Sequence, residues 1–158
     1  MNRVYLGLGS NLGDKEQNIL KAIDLITKKI GDIEKVSSMY ETAPVGFDSD
    51  NMFVNAACLL LTELDREEVL KRTKIIEQEI GRSIKSHNGV YTDRTIDIDI
   101  LLFNNDVLQT SELTLPHPYL HQRGFVIYPL AEIAADVMHP VLNKTMGCLK
   151  KDFDSKYN

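Results

Sequence analysis

Apolar and polar positions alternate along this chain in two rhythms, and the switch between them marks out its elements. Residues 4–8 form a short apolar run ending in the turn-rich joint Gly9-Ser10-Asn11-Leu12-Gly13-Asp14, which predicts a buried strand and a loop. Ile19, Ile23, Ile26 and Ile30 then recur at helical spacing, one apolar stripe, and Gly31 supplies the stop. Residues 33–42 are β-branched and partly alternating and predict a second strand, followed by a loop over 43–51. The near-continuous apolar run 53–62 predicts a central strand. Asp65, with Glu68 three residues on, caps a second helix traced by Val69, Leu70, Thr73, Ile76, Glu77 and Ile80 and ended by Gly81. After a loop over 82–93, Ile96, Ile98 and Ile100 alternate with Asp97 and Asp99, the pattern of a fourth strand.

The order β-α-β-β-α-β predicts an α+β fold of the ferredoxin-like type, an antiparallel sheet with two helices on one face. The rest of the chain is expected to wrap this core as a C-terminal extension. It holds an Asn104-Asn105-Asp106 turn, a His-Pro loop, a short segment over 125–133 interrupted by Pro129, and a polar charged tail. With helices on one face, the other face is expected to be free for ligands. Residues 1–158 read as a single domain, without internal repeat or low-complexity tract.

The chemistry concentrates on the fourth strand. Side chains two apart on a strand share a face, so Asp97 and Asp99 stand together with Cα atoms about 6.5–7 Å apart. Two carboxylates at that spacing reach one divalent cation or a close pair of them, and oxygen-only donors favour Mg²⁺ or Mn²⁺ over zinc. Taken alone, the pair also fits the polar face of an amphipathic strand turned to water. Cations gather nearby in sequence: Arg94 three residues before the pair, and Arg82 and Lys85 in the preceding loop. Arginine forks beside a metal carboxylate pair suit a polyphosphate, the metal taking some oxygens and the guanidinium groups others.

Composition narrows the partners. Eighteen Lys+Arg against 23 Asp+Glu give a formal charge of −5, which argues against nonspecific attraction to nucleic acid or anionic membranes. No apolar run is long enough to span a bilayer, and the first residues lack the apolar stretch of a signal peptide. Cys58 and Cys148 make no disulfide framework and read as reduced thiols. A cytoplasmic location is expected.

Six segments in order resemble one family: Gly9-Ser10-Asn11-Leu12-Gly13, Tyr40-Glu41-Thr42-Ala43-Pro44-Val45-Gly46, Phe53-Val54-Asn55, Glu77 with Gly81-Arg82, Arg94-Thr95-Ile96-Asp97-Ile98-Asp99, and Pro116-His117 with Arg123-Gly124-Phe125. Together they resemble the 6-hydroxymethyl-7,8-dihydropterin pyrophosphokinases of folate biosynthesis over nearly the whole chain. The resemblance implies transfer of an intact diphosphate from ATP to the pterin hydroxymethyl group, releasing AMP. It implies two Mg²⁺ ions on Asp97 and Asp99, and Arg82 and Arg94 reaching the transferring phosphates. Glu77, Lys85, Ile100, Thr114, His117 and Arg123 would hold other parts of ATP. Phe53 and Phe125 would sandwich the pterin, with Asn55, Thr42, Pro44, Val45 and Gly46 at its edge. The expected partners are these two small molecules, with no nucleic acid and no membrane, and a monomer is expected.

The chain departs from the family's usual pattern in two places. Tyr91-Thr92-Asp93-Arg94 stands where an aromatic-Gly-Pro-Arg run is usual, and Ile84 stands where many members carry a second arginine. Other readings of the same residues are distinct in kind. Phe53 and Phe125 fit core aromatics, and Gly9 and Gly13 fit plain turn geometry, whereas Asn55 in an apolar strand demands partners. A ferredoxin-like RNA-binding module would use Arg123-Gly124-Phe125-Val126-Ile127-Tyr128 as its aromatic motif, but that motif falls after the fourth strand. A zinc protein using His117 and His121 lacks a His-Glu-x-x-His frame and any cysteine partner nearby.

Overall fold

The computed structural model describes residues 1–42, 52–81 and 95–157. Strand β1 (Asn2–Ser10) leads through Gly13, whose φ of 68° lies in the left-handed region that favours glycine, into helix α1 (Lys15–Lys29). Asp14 caps that helix, its side chain accepting from the Gln17 N–H. Strands β2 (Asp32–Val36), β3 (Tyr40–Thr42) and β4 (Phe53–Thr62) follow, then helix α2 (Arg66–Gly81) and strand β5 (Asp97–Phe103). A two-stranded hairpin, β6 (Leu108–Gln109) with β7 (Thr114–Leu115), precedes helices α3 (Gly124–Ala134) and α4 (Met146–Tyr157).

The sheet order is β2-β4-β1-β5, with β3 also on β4, and every pairing is antiparallel. This is the expected ferredoxin-like arrangement, with the second strand broken in two. The break falls at Ser37. Its N–H still donates to the Ala57 carbonyl at 2.8 Å, but the Ala57 N–H is met at 2.8 Å by the Ser37 hydroxyl rather than by a main-chain carbonyl. A side-chain oxygen standing in for a ladder carbonyl frees the backbone to turn away, so 33–42 is not the single strand that its alternation predicts.

Alternation along the strands divides the core into two layers. Val4, Leu6, Leu8, Val54, Ala56, Cys58, Leu60, Ile98 and Ile100 pack under α1 and α2 against Ile19, Ile26, Val69 and Ile76. Tyr5, Ala57, Leu59, Leu101 and Leu102 pack on the opposite face against Val126, Ile127 and Leu130 of α3 and Met146 and Leu149 of α4. Burial of each Val, Leu, Ile or Met side chain among these contributes about 1.5–3 kcal/mol. The opposite face is therefore not free along its length, as the sequence reading expected: the C-terminal extension covers the part over Tyr5 and Leu59. The segment around 125–133 is helical straight through Pro129, and the polar tail is α4. Val126, Ile127, Leu130, Ala131 and Ala134 form a buried helical stripe, and their burial offsets the helix bond that Pro129 cannot make to the Phe125 carbonyl.

No helix among the described residues is long and apolar enough to cross a membrane.

Candidate functional site

The face that α3 and α4 cover is left open at the end of the sheet where β1 reaches Gly9. There the register aligns four strands in one row: Tyr40 of β3 opposite Asn55 of β4, Asn55 opposite Gly9 of β1, and Gly9 opposite Asp97 of β5. One step along, Gly7 lies opposite Asp99. Asp97 and Asp99 therefore share one face, half-buried, while Ile96, Ile98 and Ile100 are 6, 4 and 4% exposed on the other. The alternation read from the sequence places the carboxylates as expected.

Gly9 is the floor between the two halves of this row. A Cβ built there would lie 2.9 Å from Asn55 Oδ1 and 3.7 Å from Phe53 Cδ1, so the missing side chain is what lets the Asn55 amide lie over β1. Asn55 is 5% exposed, and its Nδ2 donates to Thr42 Oγ1 at 2.8 Å, which meets the demand a buried amide makes for a partner. Thr42 pairs with Phe53 in the β3–β4 ladder, so Thr42, Asn55 and Phe53 form one edge of the site. That edge is held from α3 by Glu132, whose carboxylate accepts from the Ser38 N–H at 2.8 Å and from the Tyr40 hydroxyl at 2.5 Å. Burial and this neighbouring carboxylate push the Tyr40 phenol up to about 12.

On the aspartate side, Glu77 reaches across from α2, and its Oε2 accepts from the Ile98 N–H at 2.7 Å, between the two aspartates in sequence. Burial raises its pKa to about 7 against the opposing effect of that N–H, with Asp97 and Asp99 adding to the rise and Lys74 resisting it. The 117–123 loop closes over the same end. The His117 N–H donates to the Leu101 carbonyl at 2.9 Å, tying the loop to β5, and His117 Nδ1 accepts from the Tyr119 N–H at 3.2 Å. An accepting Nδ1 leaves the proton on Nε2. Burial and then Arg123 lower the His117 pKa, with Asp97 opposing. Arg123 stands at the N-cap of α3 without capping it, its guanidinium carbon 4.2 Å from the Tyr119 ring centroid and 5.7 Å from that of Phe125.

The structure thus brings Asp97, Asp99, Glu77, His117, Arg123, Phe125, Asn55, Phe53 and Thr42 to one end of the sheet. Thr114 lies half-buried on β7, paired with Gln109. Ile100 points into the core beneath α1 and α2, so its side chain is not among those lining the site. Arg82, Lys85, Arg94, Pro44, Val45 and Gly46, together with Ile84, Tyr91 and Asp93, lie outside the described residues. Among the described residues no cluster of three or more His, Cys, Asp or Glu is arranged around one metal position, which leaves the two half-buried aspartates as the oxygen donors. Sequence reasoning passed over Glu132 and Tyr119. The signal for Tyr119 was an aromatic four residues before an arginine; Glu132 had none, because its partners are more than ninety residues away.

Comparisons with known proteins agree with this geometry. Residues 5–135 match the family model described as 7,8-dihydro-6-hydroxymethylpterin-pyrophosphokinase. A 2-amino-4-hydroxy-6-hydroxymethyldihydropteridine pyrophosphokinase of Porphyromonas gingivalis is 46% identical over 87% of this chain and 93% of its own length. Proteins of the same name from Aquifex aeolicus and Bacillus subtilis are each 42% identical, over 96% and 86% of this chain and 92% and 80% of theirs. Among solved structures, wild-type Plasmodium falciparum HPPK-DHPS with pterin and p-hydroxybenzoate shares the fold with a TM-score of 0.78 at 20% identity, over 98% of this chain. This chain spans 43% of that longer one.

Proposed function

This chain belongs to the 7,8-dihydro-6-hydroxymethylpterin-pyrophosphokinase family, and from that premise we propose how its own residues divide the work. The reaction is transfer of diphosphate from ATP to the hydroxymethyl oxygen of 6-hydroxymethyl-7,8-dihydropterin, with AMP as the leaving product, a step of folate biosynthesis. The observation that carries the assignment is the row Asn55, Gly9, Asp97 across three adjacent strands. With strands about 4.8 Å apart, it sets an amide and a carboxylate about 10 Å from one another over a floor with no side chain. A flat bicyclic ring fits that floor with its polar edge at Asn55 and Thr42, and its hydroxymethyl group directed toward β5.

Phe53 and Phe125 bind the ring faces, and Pro44, Val45 and Gly46 complete the edge. Asp97 and Asp99 supply only carboxylate oxygens on a half-buried face, a donor set that fits Mg²⁺. Two such ions, when bound, neutralise charge on the triphosphate and on the bridging oxygen that leaves with AMP. Arg82, Arg94 and Lys85 take oxygens of the transferring diphosphate, with Arg123 on the nucleotide's phosphates. His117, neutral and protonated at Nε2, donates a hydrogen bond there rather than accepting a proton. Glu77, Thr114 and the backbone at Ile100 bind the nucleoside end. Phosphoryl-type transfer of this kind runs on position and charge, which agrees with a site that, among the described residues, holds no dedicated general base. The acting unit is one domain over residues 1–158, a cytoplasmic monomer with small-molecule partners and no nucleic acid.

The test is incubation with Mg²⁺, ATP and the hydroxymethyldihydropterin, resolving AMP from ADP. Pterin-dependent AMP with pterin diphosphate is expected, whereas ADP or no turnover overturns the assignment. Asp97→Ala should lower turnover at least about a hundredfold with the melting temperature retained, since a catalytic metal site contributes several kcal/mol. Near-wild-type turnover would remove the metal role.

A further inference from the structure

Arg123 carries a positive charge into a site that holds Asp97, Asp99 and Glu77, yet among the described residues it makes no ion pair with any carboxylate. Its side chain does not cap α3 either. What meets it is the ring of Tyr119, at 4.2 Å. We propose that Tyr119 is a positioning residue, which holds the Arg123 guanidinium by its flat face and so keeps its in-plane N–H donors available for an anionic phosphate oxygen of the nucleotide. This deepens the assignment of Arg123 to ATP and rests on it.

The local structure supports a fixed platform. The loop is pinned to β5 by the His117 N–H, and Tyr119 is set by its own N–H on His117 Nδ1. Leu120, the next residue, is fully buried, and the Gln122 N–H returns to the Tyr119 carbonyl at 3.1 Å. Tyr119 is thereby held in place while the residue stays 46% exposed, and its ring meets the guanidinium. A guanidinium stacks through its face and hydrogen-bonds through its edge, so stacking leaves the phosphate-binding fork unspent. An ion pair to Asp97 or Asp99 would instead consume both the fork and a metal-binding carboxylate. Phe125, 5.7 Å from the same guanidinium, is the more distant ring and is engaged by the pterin in the assignment above. Tyr119, whose ring also lies 6.1 Å from that of His117, is the nearer ring and the one that meets the guanidinium.

Steady-state kinetics on Tyr119→Ala, Tyr119→Phe, Arg123→Ala and the Tyr119→Ala/Arg123→Ala double variant test this. Tyr119→Ala should raise the KM for ATP about three- to fivefold, the worth of an exposed cation–π contact, with the KM for pterin and kcat near wild type. Tyr119→Phe keeps the ring and should keep the ATP KM, and adding Tyr119→Ala to Arg123→Ala should change nothing further. A Tyr119→Ala variant with a normal ATP KM, beside an Arg123→Ala variant with a raised one, overturns the positioning role and leaves the ATP assignment of Arg123 standing. Equal losses in the Phe and Ala variants assign the effect to the hydroxyl and also overturn it. A normal ATP KM in Arg123→Ala removes the phosphate assignment and the proposal together. Melting curves separate all of these from misfolding.

Discussion

Gly9→Ala inserts a single methyl group at the centre of the site, and its effect can be worked out from the atoms around it. The new Cβ would sit 2.9 Å from Asn55 Oδ1, closer than real contacts allow, while 3.7 Å to Phe53 Cδ1 is ordinary packing. Asn55 has to rotate, and it is buried, so it loses the 2.8 Å bond to Thr42 Oγ1. An amide stranded in this way costs about 1–3 kcal/mol. Against that, Gly13 alone among the described glycines has positive φ, so alanine fits the backbone at position 9 and gains about 0.4–1 kcal/mol by restricting the unfolded chain. The net expectation is a loss of about 1–2 kcal/mol in urea unfolding and a pterin affinity reduced about tenfold. In an Asn55→Ala background the obstructing oxygen is gone, and the same Gly9→Ala change should become neutral or slightly stabilising. That reversal of sign is the core of the prediction. Equal costs in both backgrounds, or an unchanged stability in the first, would refute the claim that Gly9 exists to admit the Asn55 amide.

Two further outcomes follow from the buried ionisable groups. Glu77 keeps its proton up to about pH 7 in the folded protein, whereas in the unfolded chain it releases it near its ordinary value of 4.5. Between those values the native state binds the extra proton, so stability of the metal-free protein should decline by on the order of 1–3 kcal/mol as pH rises through the window. Glu77→Gln should flatten that decline in chemical denaturation series, and an unaltered slope would place the burial penalty elsewhere. Cys58 is fully buried and its thiol is pushed up to about 12 by that burial, while Cys148 is only half-buried. A thiol reagent should therefore find only Cys148 in the native protein and both after denaturation; rapid reaction of Cys58 in native buffer would contradict the two-layer core.

The parts of this fold that were legible in the sequence are those governed by a single local period. Asp97 and Asp99 against Ile96, Ile98 and Ile100 obey the two-residue rhythm of a strand, and the isoleucines of α1 obey the helical one, so their faces follow directly. Where a nonlocal contact overrides the local rule, the pattern misleads. Ser37 breaks its strand because its hydroxyl replaces a carbonyl opposite Ala57, a partner twenty residues away. The stripe of α3 was hidden by Pro129, whose local cost is outweighed by sheet contacts that the segment itself does not display. Leu101 and Leu102 both face α3 because the ladder shifts register between Tyr5 and Leu6, an irregularity that leaves no compositional trace. At the site, the residue types of Asn55 and the aspartates announced themselves, whereas Tyr119 and Glu132 act through geometry that only the folded loop and helix create.

Strand β5 is the outermost strand of its sheet, and an outer strand with free N–H and C=O groups is a template on which a second chain can add. Here that template is blunted at two points along the strand: the Glu77 carboxyl group takes the Ile98 N–H, and the His117 N–H takes the Leu101 carbonyl. The same two positions therefore guard the protein against edge-to-edge self-association. Their replacements differ in consequence, because His117 protects through its main chain and keeps doing so whatever its side chain, while Glu77 protects through the side chain itself. A Glu77→Ala preparation should show a concentration-dependent loss of monodispersity that a His117→Ala preparation does not.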